Sequence, residues 1–281
     1  MPFGRYVPST LRSADFYQRL RASRIRDLYS RIADRRLIDG RDREVNFYRC
    51  LMEGFRQGDL IFDVGANVGD KTDVFLRLGA RVVAVEPDER CQEILRGRFL
   101  KYRLAPKPII IVGQAVSDTV GAETMWVDGP GSAVNTLSQR WVETLRRDAK
   151  RRDHTLDALE FAQTKSVATT TLEQLFAVHG LPFFVKVDVE GHELRVIRGI
   201  HHSVPYLSFE VNLPEFRQEG LQCLEVLESL DSAGEFNYVV DCQRGLVLRK
   251  WIDAHQFSHV LYHCTNKCIE VVWRTPLARS R

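Results

Sequence analysis

Short apolar runs alternate with amphipathic stretches along the middle of this chain, and most of the runs end on acidic or polar residues. The first starts at Leu60 and ends at Asp63; the second starts at Ala80 and ends on Glu86; the third is Ile109–Val112. Two more, built on Phe183, Val185 and Val187 and on Tyr206–Asn212, complete the series. Continuous β-branched and aromatic runs are the pattern of parallel strands buried on both faces. Helical spacing separates them: Val68, Thr72, Phe75 and Leu76, then Asp88–Leu100, Thr169–Val178 (entered through consecutive threonines, with Glu173 supporting its start) and Glu193–Ile200. Strand–helix alternation of this kind predicts an α/β fold with helices on both faces of a mostly parallel sheet.

The flanks are less regular. Residues 1–57 predict an N-terminal helical cap, with Ala14–Leu37 as one or two amphipathic helices and Glu44–Phe55 as another that stops near Gly58. Glu123–Val127 predicts a short extra strand, and residues 129–166 break the alternation as a lid-like insertion. Near the end of its helical stretch Gln139–Lys150, Arg146, Arg147, Lys150, Arg151 and Arg152 concentrate a charge suited to an anionic or glycosylated acceptor or simply to a solvated face. After the amphipathic Leu221–Leu230, Asn237–Cys242 and Leu246–Lys250 read as strands around a turn at Gln243–Gly245, and Cys268–Trp273 as the last strand. That succession predicts an antiparallel closing hairpin without another βαβ crossover, followed by a frayed tail from Arg274.

Candidate chemistry sits at the ends of the apolar runs, where sheets of this kind bind ligands. Asp63-Val64-Gly65-Ala66-Asn67-Val68-Gly69-Asp70 turns the first strand into a helix. Dinucleotide enzymes use G-x-G-x-x-G there, but Asn67 stands where the second glycine would be. Asp63 places a negative charge at the turn, which suits a cation such as the amino group of S-adenosylmethionine better than a pyrophosphate. Glu86 can accept both hydroxyls of a ribose. Asp118 either accepts the amino hydrogens of an adenine or caps a turn before Gly121.

The second loaded run, Phe183–Glu193, collects Lys186, Asp188, Glu190, His192 and Glu193 around Gly191. So many ionisable groups would be costly if merely buried. His192 is the first candidate base because imidazole titrates near neutrality; Asp188 is the second, or orients the acceptor. Lys186 pairs with an acid or holds an oxyanion, and Asp188, Glu190 and Glu210 offer oxygen ligands for one Mg²⁺. The fifth strand carries Glu210 and Asn212 at its end.

In order, DVGANVGD, VEPD, AVSD-x-x-G, TTTL and VKVDVEGHE resemble the FkbM-type family of class I S-adenosylmethionine-dependent methyltransferases, over about Gly58 to Asn212. The resemblance implies a Rossmann-like, seven-stranded sheet with an antiparallel last strand, and O-methylation of hydroxyls on sugars, glycolipids or natural products. Carried onto this chain, it implies cofactor binding by Asp63, Gly65, Ala66, Asn67, Gly69, Glu86, Pro87, Ser117 and Asp118, with Asp188 closest to the transferred methyl. Two other readings remain: an NAD(P)-dependent oxidoreductase, and a non-catalytic S-adenosylmethionine-binding protein.

Composition narrows the partners. A net charge of +3 gives no general reason to expect nucleic acid. No run approaches a membrane span, and the N-terminus has no hydrophobic core of a signal peptide. Six cysteines without a Cys-x-x-Cys pair read as reduced cytosolic thiols, hence a cytoplasmic protein, with His263, Cys264 and Cys268 as a weak zinc alternative. The expected partner is a small-molecule or glycan hydroxyl acceptor.

Overall fold

The computed structural model describes residues 35–103, 108–151 and 161–278. Most of the predicted helical stretch Ala14–Leu37 therefore lies outside the described residues. The elements run α1 Arg35–Leu51, β1 Leu60–Val64, α2 Asp70–Arg77, β2 Arg81–Val85, α3 Glu89–Arg98, α4 Leu100–Arg103, β3 Ile109–Val112, β4 Ala115–Val116 and β5 Gly121–Val127. They continue with α5 Gln139–Arg151, β6 Gln163–Thr170, α6 Leu172–His179, β7 Phe184–Val187, α7 Glu193–Arg198, β8 Tyr206–Asn212, α8 Arg217–Leu230, β9 Glu235–Val239, α9 Ala254–His263 and β10 Cys268–Arg274. No helix among the described residues is long and apolar enough to cross a membrane.

Seven strands form one sheet in the order β3-β2-β1-β7-β8-β10-β9, with β10 antiparallel to both neighbours. Successive strand residues face opposite sides, so each strand feeds two cores. Phe62, Val64, Val185, Val187, Leu207 and Phe209 pack under α6, α7, α8 and α9. Ile61, Val82, Ala84, Phe184 and Tyr206 pack under α1, α2 and α3, through Val45, Tyr48, Val74, Phe75 and Leu95. This is the predicted Rossmann-like class I methyltransferase fold.

The C-terminal third departs from expectation. Of the predicted hairpin only residues 237–239 are strand, as the end of β9; Leu246–Lys250 folds back as bends, with Asn237 Nδ2 donating to the Leu248 carbonyl (2.9 Å) and Asn237 Oδ1 accepting from Leu248 N (3.0 Å). The unforeseen helix α9 then carries the chain back, and β10 inserts between β8 and β9. A further parallel crossover, β8–α8–β9, is therefore present. The tail is not frayed as far as residue 278, because buried Thr275 donates its hydroxyl to the Val204 carbonyl (3.0 Å) and Ala278 is buried.

The region between β3 and β7 holds a second sheet, β4-β6-β5. Its strand Gln163–Thr170 runs through the start of the predicted helix; Thr171 caps α6 by accepting from Gln174 N (3.1 Å). The strand is polar and mostly exposed, so it lacks the apolar pattern that marks buried strands.

Candidate functional site

Strand order reverses between β1 and β7, and the ends of β1, β2 and β7 open on one cavity of about 270 Å³. Gly65 and Ala66 donate their N–H groups to the Val85 carbonyl (3.0 and 3.1 Å), which folds the glycine turn onto β2. Gly65 has φ 82°, and a Cβ there would lie 1.7 Å from the Asp188 carbonyl oxygen. The turn therefore packs backbone on backbone against the end of β7. Asn67 also takes a left-handed conformation, φ 47°, and its side-chain oxygen accepts from Val68 N (2.7 Å). Gly69 faces Leu95 and Phe99 rather than the cavity.

Glu86 is buried at the tip of β2, its Oε2 accepting from Asn67 N and its Oε1 from Asp88 N, both at 2.8 Å. Burial raises its pKa to about 7, although those two N–H groups pull it down. Asp63 is buried too, and Thr72 donates its hydroxyl to Asp63 Oδ2. Burial raises its pKa, opposed by that hydrogen bond and by Lys186.

The segment between β5 and α5 roofs the cavity with Ser132, Ala133, Asn135, Thr136 and Leu137. It is tied down on two sides. Asp88 caps α3 with Oδ1 (2.8 Å to Arg90 N, 3.0 Å to Cys91 N) and uses Oδ2 to accept from Asn135 Nδ2 at 3.0 Å and Gly131 N at 3.3 Å. Thr136 Oγ1 donates to the Glu190 carbonyl (2.7 Å). Sequence reasoning missed Asp88, Asn135 and Thr136 as site residues. Asp88 carried a signal, as an acid following the second run, but nothing in the insertion's sequence pairs it with Asn135.

At the end of β7, Lys186 Nζ lies 2.7 Å from Asp188 Oδ2. Glu190 lines the cavity with φ 55°. Burial, then Asp188, Glu210 and Glu193, push its carboxyl up to about 9. The Trp141 indole N–H, buried and without a hydrogen-bond partner of standard geometry, lies close enough to pull it slightly down. Glu193 Oε1 accepts from Val189 N and Gly191 N, both at 3.2 Å, and burial lifts that carboxyl to about 8.

The predicted site residues fall into separate groups. Asp63, Gly65, Ala66, Asn67, Glu86, Pro87, Asp188, Glu190 and His192 line the cavity. Gly69, Ser117, Asp118, Lys186 and Glu210 do not line it. His192 Nε2 is 3.2 Å from Ser117 Oγ and 3.8 Å from Glu123 Oε2, so it belongs with the β4–β5 region rather than with the Lys186–Asp188 pair. Burial lowers the His192 pKa, and Glu123 counteracts. Asp118 is engaged by Arg195 (2.8 Å). Glu210 accepts from Asn212 Nδ2 at 3.0 Å while Asp188 turns to Lys186. The expected Mg²⁺ site is not assembled: among the described residues no three His, Cys, Asp or Glu side chains gather where a metal could sit, and the same holds for His263, Cys264 and Cys268. In the insertion, Arg146 donates to the Phe161 carbonyl (3.2 Å); Arg152 and the side chains of Lys150 and Arg151 lie outside the described residues.

A family model, the methyltransferase FkbM domain, matches residues 63–238. The chain belongs to that family. Among solved structures it is similar to an FkbM methyltransferase from Methylobacillus flagellatus, at 14% identity and a TM-score of 0.47, covering 92% of this chain and 60% of that one. It also resembles a TehB-like S-adenosylmethionine-dependent methyltransferase from Corynebacterium glutamicum (11% identity, TM-score 0.42, 93% of this chain and 100% of that one). A third is an S-adenosylmethionine-dependent O-methyltransferase from Thermotoga maritima (10% identity, TM-score 0.38, 83% and 64%). No curated protein matches the sequence. The chain thus spans 60% of the length of the FkbM methyltransferase it resembles.

The residues of this FkbM-family cavity suit its cofactor class. Each Glu86 oxygen holds one backbone N–H and keeps further acceptor capacity for a ribose hydroxyl. Asp63 and Asp188 both line the cavity and offer carboxylates to a cationic ligand.

Proposed function

We propose that this protein transfers a methyl group from S-adenosylmethionine to a hydroxyl of a sugar, glycolipid or natural-product acceptor. The observation that carries this reading is the convergence of Gly65, Glu86 and Asp188 on one cavity at the reversal of strand order. Bound S-adenosylmethionine supplies an electrophilic methyl on a sulfonium. The protein's part is to orient, to exclude water and to take a proton. Glu86 holds the ribose, Asp63 faces the cationic end, and the Ser132–Leu137 roof keeps solvent out. Positioning alone can lower the barrier by several kcal/mol. Asp188, kept ionised by Lys186, orients the acceptor hydroxyl.

Two groups compete to receive the hydroxyl proton. Burial lowers the His192 pKa, which favours the neutral imidazole that can accept one. Glu190 lines the same cavity but holds its own proton more tightly. His192→Asn and Glu190→Gln separate them: loss of the base should lower kcat by about 10²–10⁴-fold and remove one limb of the pH–rate profile.

The cofactor assignment is tested by calorimetric titration with S-adenosylhomocysteine and, separately, NAD⁺. Glu86→Ala should weaken S-adenosylhomocysteine tenfold or more, about 1.4 kcal/mol. Because Glu86 loses acceptor capacity when protonated and titrates at about 7, wild-type affinity should fall about tenfold from about pH 8 to about pH 6. Glu86→Gln should flatten that dependence. A preference for NAD⁺ would overturn the methyltransferase reading.

The roof supplies a further expectation. Asn135→Ala leaves Asp88 Oδ2 with only the long Gly131 contact, so the roof loosens over the cavity. S-adenosylhomocysteine should then dissociate about fivefold to tenfold faster while its association rate changes little, since affinity differences within one site fall mostly on dissociation. Stopped-flow fluorescence measures both rates, and an unchanged dissociation rate would show that the roof does not retain the cofactor.

A further inference from the structure

The helix α9, which the sequence pattern did not reveal, carries His255, His259 and His263 at successive four-residue steps. Four-residue spacing places side chains one above another on a helix. Ala254, Phe257 and Leu261 are buried against the sheet, so the histidines stand on the outer face, all exposed. They border a groove of about 730 Å³ between α8 and α9, whose far wall includes Glu225 and Glu228.

We propose that His255 and His259 form a bidentate site for a transition-metal dication of the zinc, nickel or copper(II) class. The geometry carries this. The two imidazole centroids are 5.0 Å apart, with the ring planes at 72°. Two imidazoles bound to one ion, each with a metal–nitrogen distance of ~2.0–2.1 Å, put their centroids roughly 4.5–5.2 Å apart at tetrahedral to octahedral angles. The pair is thus already at chelating separation. Two histidines at this spacing on one helix face are also how helical zinc sites begin. His263 does not join them, because its ring packs on Tyr262 at 5.1 Å. No third protein ligand is gathered among the described residues, so the other coordination positions fall to water. Glu225 and Glu228 make the groove negative and can accept hydrogen bonds from those waters. Imidazole nitrogen favours this class of metal over calcium or magnesium, which take oxygen. The site lies apart from the cofactor cavity and does not rest on the methyltransferase reading.

The test is calorimetric titration of the full chain with NiCl₂ at about pH 7.5, where imidazole is a competent ligand. Wild type should bind one equivalent. His255→Asn and His259→Asn should each weaken binding tenfold or more, and His263→Asn less than about threefold. ZnCl₂ should raise the Tm of wild type and not that of either chelate variant, since a ligand held only by the folded state stabilises it. All three side chains are exposed, so the variants should fold, and circular dichroism checks this. Absence of binding up to about 1 mM nickel would overturn the proposal. So would binding that survives both His255→Asn and His259→Asn, which would place the metal elsewhere.

Discussion

Replacing Gly65 with alanine should abolish measurable cofactor binding, with a loss of at least 100-fold in S-adenosylhomocysteine affinity, about 2.7 kcal/mol. Two effects add at this position. The residue has φ 82°, where any Cβ costs roughly 1–2 kcal/mol. The new methyl would also sit 1.7 Å from the Asp188 carbonyl oxygen and 2.8 Å from its carbon, both backbone atoms that no rotamer change can move aside. β1 and β7 are adjacent and hydrogen-bonded, and Asp188 N donates to the Val64 carbonyl at 2.9 Å. The clash must therefore push the turn away from β7 and separate Asp63 from Asp188 across the cavity. Gly58→Ala is the control: φ there is 91°, yet nothing lies within 4 Å of the added methyl. It carries the backbone strain without the collision, so it should lose stability and keep its affinity. If Gly65→Ala bound S-adenosylhomocysteine within threefold of wild type, the close approach of the glycine turn to β7 would have no part in holding the cofactor.

The strands of the large sheet were legible because burial on both faces leaves a continuous apolar run, and their ends were legible because charge reappears there. Leu60–Val64 and Tyr206–Asn212 have the same character in sequence and in space. The strand Gln163–Thr170 was hidden for the opposite reason: it pairs with β5 on an exposed, polar sheet and carries no apolar code. Leu246–Lys250 misled because alternating Leu246 and Leu248 mimic a strand, whereas the side chain of Asn237 takes up the backbone polar groups of Leu248. In the site, single residues were legible and partnerships were not. His192 read as a base from its chemistry alone, but its neighbour Ser117 comes from 75 positions away. Asp88 and Asn135 meet across 47 positions, with no pattern in either segment to announce it. Charge density marked the end of β7; only the fold decides which of the carboxylates lining the cavity also meets a lysine.

Lys186→Met is the second large expected effect, and it separates a buried counter-ion from a catalytic lysine. Lys186 is 3% exposed and does not line the cavity. Its neighbours in register are Asp63 on β1 and Ser208 on β8, and Ser208 Oγ donates to Glu270 Oε1 at 2.7 Å. Burial works against the ammonium, but Asp188 and Glu270 outweigh it and hold the lysine pKa above its ordinary value. Burial likewise works against the Asp188 carboxylate, yet Lys186 brings it below its ordinary value. Methionine removes one charge and strands the acids, and breaking a buried pair in this way costs about 3–5 kcal/mol. The pH dependence follows from the directions. A depressed aspartate contributes stability above its unfolded pKa of about 4, lost as pH falls through the folded value; a raised lysine contributes below about 10.4, lost as pH climbs through its folded value. The difference between wild type and variant should therefore be full near neutrality and shrink toward about pH 4, where the stranded carboxyls take up protons. Urea unfolding at about pH 7 and about pH 4.5 measures it. Equal midpoints at neutral pH would mean that Lys186 holds neither acid in place, and a role at the reacting atoms would have to be sought for it instead.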